Sequence, residues 1–125
     1  MTRAEVPDVW IRRVRALVAD LPQVAERKAW TGTRWVVEGA TFAHLFGGED
    51  QRLRITLRAD MAEVPAFEHL GHPYFRSGWA GNAVGMVLDE STDLDELAEL
   101  LTDSYCVQAP ATLAEQVPRP GPRTP

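Results

Sequence analysis

The segment Arg52-Leu53-Arg54-Ile55-Thr56-Leu57-Arg58 alternates between polar and apolar residues without a fault. Because successive side chains of a β-strand point to opposite faces of a sheet, this pattern predicts a strand with one buried and one solvated face. All three arginines of the segment then lie on the solvated face. A sheet that is open on one side is therefore the feature around which the rest of the chain folds.

Further strands accompany that segment. Residues 34–38 and 42–46 form two strands that precede it, with a turn at residues 38–41 between them, and the three strands make an antiparallel meander. The turn at residues 47–50 contains two glycines, which permit the positive φ angles that tight hairpins require. Residues 83–88 form another strand that is apolar on both faces, which favours a central position in the sheet.

Along the chain, predicted helices precede and follow the strands. The first helix begins near Pro7 and ends before Pro22, because proline disfavours helical geometry in the preceding residue. Its apolar stripe consists of Trp10, Val14, Leu17, Val18 and Leu21. The motif Asp60-x-x-Glu63 predicts a capping box for a short helix, and Asp93-x-x-Glu96 begins the final helix. The inner stripe of that final helix consists of Leu94, Leu97, Leu101 and Tyr105.

These elements predict the α/β class, of the α+β type. We expect a mostly antiparallel sheet with helices packed on one face and the other face at least partly open. Residues 1–117 are predicted to be a single domain, since a chain of 125 residues supports one hydrophobic core. Four of the last eight residues are proline, so residues 118–125 are predicted to form an extended or disordered tail.

The net charge of −5 conceals an uneven distribution. Residues 1–58 carry ten basic and seven acidic side chains, whereas residues 59–117 carry Arg76 alone against eleven acids. A polyanion is therefore attracted by the first half and repelled by the second. The chain has no run of about 18 apolar residues and no apolar secretory signal, so we expect a cytoplasmic protein without a membrane segment.

An aromatic segment at residues 72–79 leads to a family resemblance. It packs three aromatic side chains, one arginine and a Pro/Gly pair into eight residues, and it needs a surface to bury against. Together with the order of the elements, the chain resembles the YjbR/MmcQ family over about residues 7–116. The residues that carry the resemblance are Leu21-Pro22-x-Val24 before Trp30, Gly39, Phe42-Ala43, Pro73-Tyr74, Gly78-Trp79, Asp93-Leu94-Asp95-Glu96-Leu97, Ser104-Tyr105 and Ala109-Pro110.

The resemblance implies a CyaY-like fold, similar to double-wing folds, and DNA binding through the sheet surface. From the residues themselves, the nucleic-acid candidates are cations that contact phosphates and aromatics that stack on an unpaired base. Arg52, Arg54 and Arg58 line one strand and Arg34 and Arg76 extend the row, with Trp35 and Trp79 as stacking residues. The expected partner is DNA, bound weakly and in a salt-dependent way.

Other interpretations stay open. The arginines also suit a solvated sheet face that aids solubility, and the aromatic loop also suits a module that binds a protein or a small ligand. His69-x-x-His72 has a metal-like spacing, but Gly71 and Pro73 end the helix that two ligands would need. His44 is predicted to share a strand face with Phe42 and Phe46 as a packed or rim residue.

Catalysis has little support in the sequence. The chain contains no phosphate-binding loop, no serine-hydrolase elbow, no dinucleotide fingerprint and no zinc-protease motif. Cys106 has no obvious partner histidine, and the acids around residue 93 suit the solvated start of a helix. We therefore predict no catalytic residue, no metal site and no cofactor, and a protein that is not an enzyme.

Overall fold

The computed structural model describes residues 4–78 and 80–118, and it has the predicted α+β fold. The strands form one antiparallel sheet of order β1-β2-β3-β4-β6-β5. The elements in chain order are α1 (Asp8–Leu17), β1 (Val24–Lys28), β2 (Thr33–Val37), β3 (Ala40–Gly47), β4 (Leu53–Arg58), α2 (Val64–Leu70), β5 (Tyr74–Arg76), β6 (Ala83–Leu88), α3 (Leu94–Gln108) and α4 (Ala111–Ala114).

One face of the sheet carries the hydrophobic core. Helices α1 and α3 cover this face, because apolar residues at helical spacing form one side of a helix. Most residues of the two predicted stripes are buried here, but Leu17 and Leu21 are only half-buried, α1 ends at Leu17, and Leu94 is exposed, so the prediction that Leu94 belongs to the inner stripe is wrong. The largest contributors with almost no exposed surface are Val14, Trp35, Val37, Phe42, Leu45, Ile55, Leu97, Leu101 and Tyr105. We call this side the helical face and the other side the open face.

Strands β1 and β5 lie at the two edges of the sheet, and the sequence patterns did not predict them. Edge strands are half exposed, so neither strand shows a clean alternation of buried and solvated residues. Strand β1 contains Glu26, Arg27 and Lys28, and β5 is only three residues long within the aromatic segment. Tyr74 of β5 contacts Phe67 on α2 and donates a hydrogen bond to Glu96 on α3. Burial and Glu96 raise the pKa of Tyr74 to about 12.

A β-bulge in β3 changes the predicted alternation of that strand. Trp35 pairs with Ala43 but Val36 pairs with Thr41, so Phe42 is an extra residue between them. Phe42 consequently turns to the helical face, where its ring meets Tyr105 edge-on at a centroid distance of 5.5 Å. The prediction that His44 shares a face with Phe42 is wrong, because a bulge interrupts the two-residue period.

The two predicted hairpin turns differ in how they use glycine. Glu38 and Gly39 both have positive φ, as a tight two-residue hairpin requires. In the turn after β3, the positive φ lies at Gln51 instead of at a glycine. Gly47 is needed there for space, because a Cβ atom would collide with the carbonyl group of Ala4. The prediction that these glycines supply the positive φ is therefore wrong.

The two predicted capping motifs also have different outcomes. The carboxylate of Asp93 accepts hydrogen bonds from the backbone N–H groups of Asp95 and Glu96, so it caps α3 as predicted. Helix α2 instead begins at Val64, after Glu63, which provides no side-chain cap. The predicted capping box at Asp60 is wrong, because Pro65 fixes the start of the helix later in the chain.

Within the described part of the chain, none of the helices has the length and apolar character needed to cross a bilayer. Of the tail predicted at residues 118–125, only Pro118 is described, so the remaining tail residues lie outside the described ranges.

Candidate functional site

A concave cleft lies on the open face of the sheet. Strands β2, β3 and β4 form its floor, and the hairpin loop between β1 and β2 forms one wall. The cavity has a volume of about 540 Å³, within the range of small-molecule sites. Its polar lining consists of Lys28, Thr31, Arg34, Thr41, His44, Thr56 and Arg58, and Trp30 lies on the wall. We call this cavity the cleft.

The floor of the cleft belongs to one straight row across the sheet. Side chains of directly paired residues lie on the same face, and the register pairs Arg27 with Arg34, Arg34 with His44, and His44 with Thr56. The row continues past the cleft to β6 and β5, where the Phe75 ring lies over Gly85. A Cβ atom at residue 85 would collide with that ring. The open face thus carries cations near the β1 edge and an aromatic cover near the β5 edge.

The hairpin loop that forms the wall is held against β3. Nε2 of His44 lies 2.5 Å from the carbonyl oxygen of Thr31, so the imidazole donates from Nε2. The backbone N–H of Ala29 donates to the carbonyl of Gly32 at 3.0 Å. Gly32 has a φ of +75°, and a Cβ atom there would collide with the carbonyl group of Leu45. These contacts fix the backbone of the loop, so that Trp30 stands at the rim of the cleft with its side chain exposed.

Trp30 is a candidate binding residue that the predicted set does not contain. Its side chain is fully exposed, and none of the described aromatic rings contacts it. The available signal was Gly32 two residues later, a residue typical of hairpin loops. That signal was missed because β1, the first strand of the hairpin, has no apolar alternation.

The arginines of the cleft have neutral hydrogen-bond partners. Arg34 donates to the hydroxyl of Thr41 at 3.3 Å, and Arg58 donates to the side-chain oxygen of Asn82 at 2.9 Å. No carboxylate lines the cleft within the described residues. The four described ion pairs involve neither Arg34 nor Arg58, so the attraction of these two guanidinium groups for an anion in the cleft is retained.

Four arginines outside the cleft are paired with carboxylates. Arg54 makes two hydrogen bonds to Asp50, at 2.7 and 2.6 Å, and this pairing holds the pKa of the Asp50 carboxyl well below its usual range. The other three pairs are Arg13 with Glu90, Arg15 with Glu26, and Arg76 with Glu68. Arg54 lies on the open face as predicted, but its charge is already balanced.

Two of the predicted site residues do not reach the open face. Trp35 is 1% exposed on the helical face, and its indole N–H donates to Glu26 at 3.1 Å, so it cannot stack on a base. Arg76 pairs in register with the buried Val84 and therefore lies on the helical face. The predictions that Arg76 extends the row of arginines and that Trp35 is a stacking residue are wrong, because each belongs to a strand whose facing only the strand register reveals.

The two remaining predicted residues have other positions. Arg52 is exposed and precedes the first residue of β4, and its backbone N–H donates to Asp50 at 3.1 Å. Trp79 lies outside the described residues. Of the predicted cations, the structure brings Arg34 and Arg58 together in the cleft. Lys28 also borders the cavity, but it pairs with Thr33 and, through it, with the buried Leu45, so its side chain belongs to the other face of the sheet.

The residues of the cleft lie within the part of the chain that matches a known protein family. The family model for YjbR matches residues 19–107, a segment that contains every described residue of the cleft. A similar solved structure is that of Deinococcus radiodurans protein DR2400, which carries the family domain DUF419. It has a TM-score of 0.65 and 20% sequence identity, and the match covers 78% of this chain and 76% of that chain. No match was found among the curated proteins. The similarity to the solved structure supports the fold alone.

Proposed function

The chain belongs to the YjbR family, and from that premise we propose that it is a non-enzymatic DNA-binding domain that contacts DNA through the cleft. This proposal depends on one observation: the arginines of the open face differ in whether their hydrogen-bond partners are neutral or charged. Arg34 and Arg58 have only neutral partners, whereas Arg54 on the same face is balanced by Asp50. A phosphate that binds the cleft displaces no carboxylate, so its attraction to these guanidinium groups is retained in full.

The distribution of charge supports the same orientation. The first turn of α3 contains Asp95 and Glu96, and this helix covers the helical face. The cationic cleft lies on the opposite side of the sheet. A polyanion is thus repelled by α3 and attracted to the open face, which favours one docking direction.

We assign no catalytic residue to the cleft. His44 is the imidazole of the cleft, and its Nε2 is engaged with the carbonyl of Thr31. This hydrogen bond gives His44 a structural role in holding the hairpin loop. The remaining polar groups of the floor are hydroxyls and guanidinium groups, which suit binding.

A salt titration with a labelled DNA duplex tests the proposed function. We expect measurable binding at ~50 mM salt, with an affinity that falls steeply as salt increases because phosphate contacts release counterions. The double substitution Arg34→Gln and Arg58→Gln should weaken binding and lower the slope of log affinity against log salt by about 2.

Arg76→Gln is the control for the site of charge removal, to be compared with each single substitution and with the double variant. It removes one positive charge from an exposed side chain on the helical face, where Glu68 is its partner. We expect its salt slope to stay near that of the unaltered protein. A domain that binds no DNA at ~50 mM salt, or a double variant that binds as well as the control, contradicts the proposal.

A second candidate is a module that binds a small anionic ligand. The volume of the cleft, about 540 Å³, favours it, because sites for small molecules are typically of this size. It differs from DNA binding in one measurable respect: the affinity for a small anion should depend weakly on salt, since few counterions are released.

A further inference from the structure

We infer that the cleft receives an unpaired nucleotide, with its base against Trp30 and its phosphate near Arg34 and Arg58. The inference rests on the proposed function and narrows it from DNA in general to single-stranded DNA. Three features of the cleft carry it: the exposed indole on its wall, the fixed loop that presents this indole, and the size of the cavity.

The exposed indole selects for a base that is free on at least one face. Trp30 is fully exposed at the rim of the cleft, within reach of a ligand bound there. In a duplex, both faces of each base are covered by neighbouring base pairs, so the bases cannot stack on a protein side chain. The bases of a single strand can do so, and aromatic side chains are the usual stacking platforms for them.

The loop that carries Trp30 is ordered before any ligand arrives. His44 holds the carbonyl of Thr31, and the close approach of Gly32 to Leu45 fits the loop against β3. Because the backbone of the loop is already ordered, binding has no loop-ordering cost and only the rotamer freedom of the Trp30 side chain is lost, so more of the stacking energy is retained as affinity. The hydrogen bond of His44 therefore helps to hold the loop that carries Trp30.

The dimensions of the cleft suit one nucleotide with its flanking phosphates. Arg34 and Arg58 lie on strands separated by β3, so their backbones are two strand spacings apart, about 10 Å across the sheet. The floor between them carries Thr56 and His44. A base that enters the cavity lies between cations on two sides, whereas the paired bases of a duplex stay in their stack and only its phosphates contact these cations.

A comparison of single-stranded and duplex DNA of equal length tests the inference. We expect labelled oligothymidylate to bind more tightly than the duplex at the same salt concentration. Trp30→Ala should lower the affinity for oligothymidylate by about tenfold or more, because stacking on one aromatic side chain has about that effect. Trp30→Phe should retain most of the affinity, and duplex binding should not change with either substitution.

Met61→Ala is the control for loss of an exposed apolar side chain, because Met61 is 64% exposed and does not line the cleft. Its affinity for oligothymidylate should equal that of the unaltered protein. Since Trp30 has no buried surface, the thermal midpoint of Trp30→Ala should also be unchanged, which separates a binding effect from misfolding.

The possible outcomes distinguish this inference from the proposed function. Duplex binding that depends on Arg34 and Arg58, combined with no preference for the single strand and no effect of Trp30→Ala, overturns the inference alone. Failure of both DNA forms to bind overturns both proposals. Thymidine monophosphate, added as a competitor, identifies the source of the nucleotide. If it competes at micromolar concentration, the cleft binds a free nucleotide. If it does not compete while oligothymidylate binds tightly, the cleft binds a nucleotide within a strand.

Discussion

At the scale of single residues, Ser104 connects the core to the cleft. Its hydroxyl is fully buried on α3, donates to the carbonyl of Phe42 at 2.5 Å and accepts from the backbone N–H of Arg58 at 2.7 Å. Both of these residues line the cleft from β3 and β4. One hydroxyl thus satisfies the two backbone groups that the bulge at Phe42 separates from each other.

Ser104→Ala should lower the free energy of unfolding by about 1–3 kcal/mol, because it leaves a buried N–H and a buried carbonyl without partners. Urea unfolding measures this change. Ser91→Ala is the control, since Ser91 is exposed and its hydroxyl bonds only to Asp89, so we expect a change within about 0.5 kcal/mol. Equal stability of the two variants would show that the Ser104 hydrogen bonds do not contribute.

At the scale of elements, the starts of α2 and α3 show how one sequence motif can have two outcomes. Asp93 and Asp60 both stand three residues before a glutamate. Asp93 has extended backbone geometry and caps α3, whereas α2 begins only at Val64, next to Pro65. The cap therefore depends on where the backbone first becomes helical, and the proline decides this for α2.

Asp93→Ala should destabilise the protein by about 1 kcal/mol, because two backbone N–H groups at the start of α3 lose their acceptor. Asp93→Asn should retain most of the stability, since its side-chain oxygen still accepts hydrogen bonds. Asp60→Ala should have little effect, since Asp60 does not cap α2. Thermal or urea unfolding of the three variants gives the ranking, and a loss for Asp60→Ala as large as that for Asp93→Ala would contradict it.

At the scale of the whole molecule, carboxylates on different elements are held in their ionised forms. The hydrogen bond from Arg15 lowers the pKa of Glu26, which links α1 to β1. A hydrogen bond from Ser91 lowers the pKa of Asp89. A carboxyl whose folded-state pKa is lowered contributes stability above its ordinary pKa, and this contribution is lost as the pH falls through the folded-state value.

The free energy of unfolding should therefore decline as the pH falls below the ordinary glutamate value of 4.5. Glu26→Gln should make this decline shallower and should cost less than about 1 kcal/mol at neutral pH, because the pair with Arg15 is screened by solvent. Urea midpoints from pH 7 down to pH 3 measure both effects. Glu115→Gln, at an exposed position on the last turn, should leave the profile unchanged; an identical decline in both variants would exclude Glu26 as a source.

The sequence by itself determined the elements whose patterns are local. The alternation in β4, the stripe of Leu97, Leu101 and Tyr105 in α3 and its Asp93 cap depend on residues close together in the chain, and the order of these elements already resembled the family. Only the tertiary structure decided which arginines keep an unbalanced charge, because Arg58 finds Asn82 and Arg15 finds Glu26 through folding. It also decided that Phe42 turns inward and that Trp30 stands at the cleft. Those positions arise from a bulge and an edge strand, which have no periodic signature because each depends on pairing with a neighbouring strand.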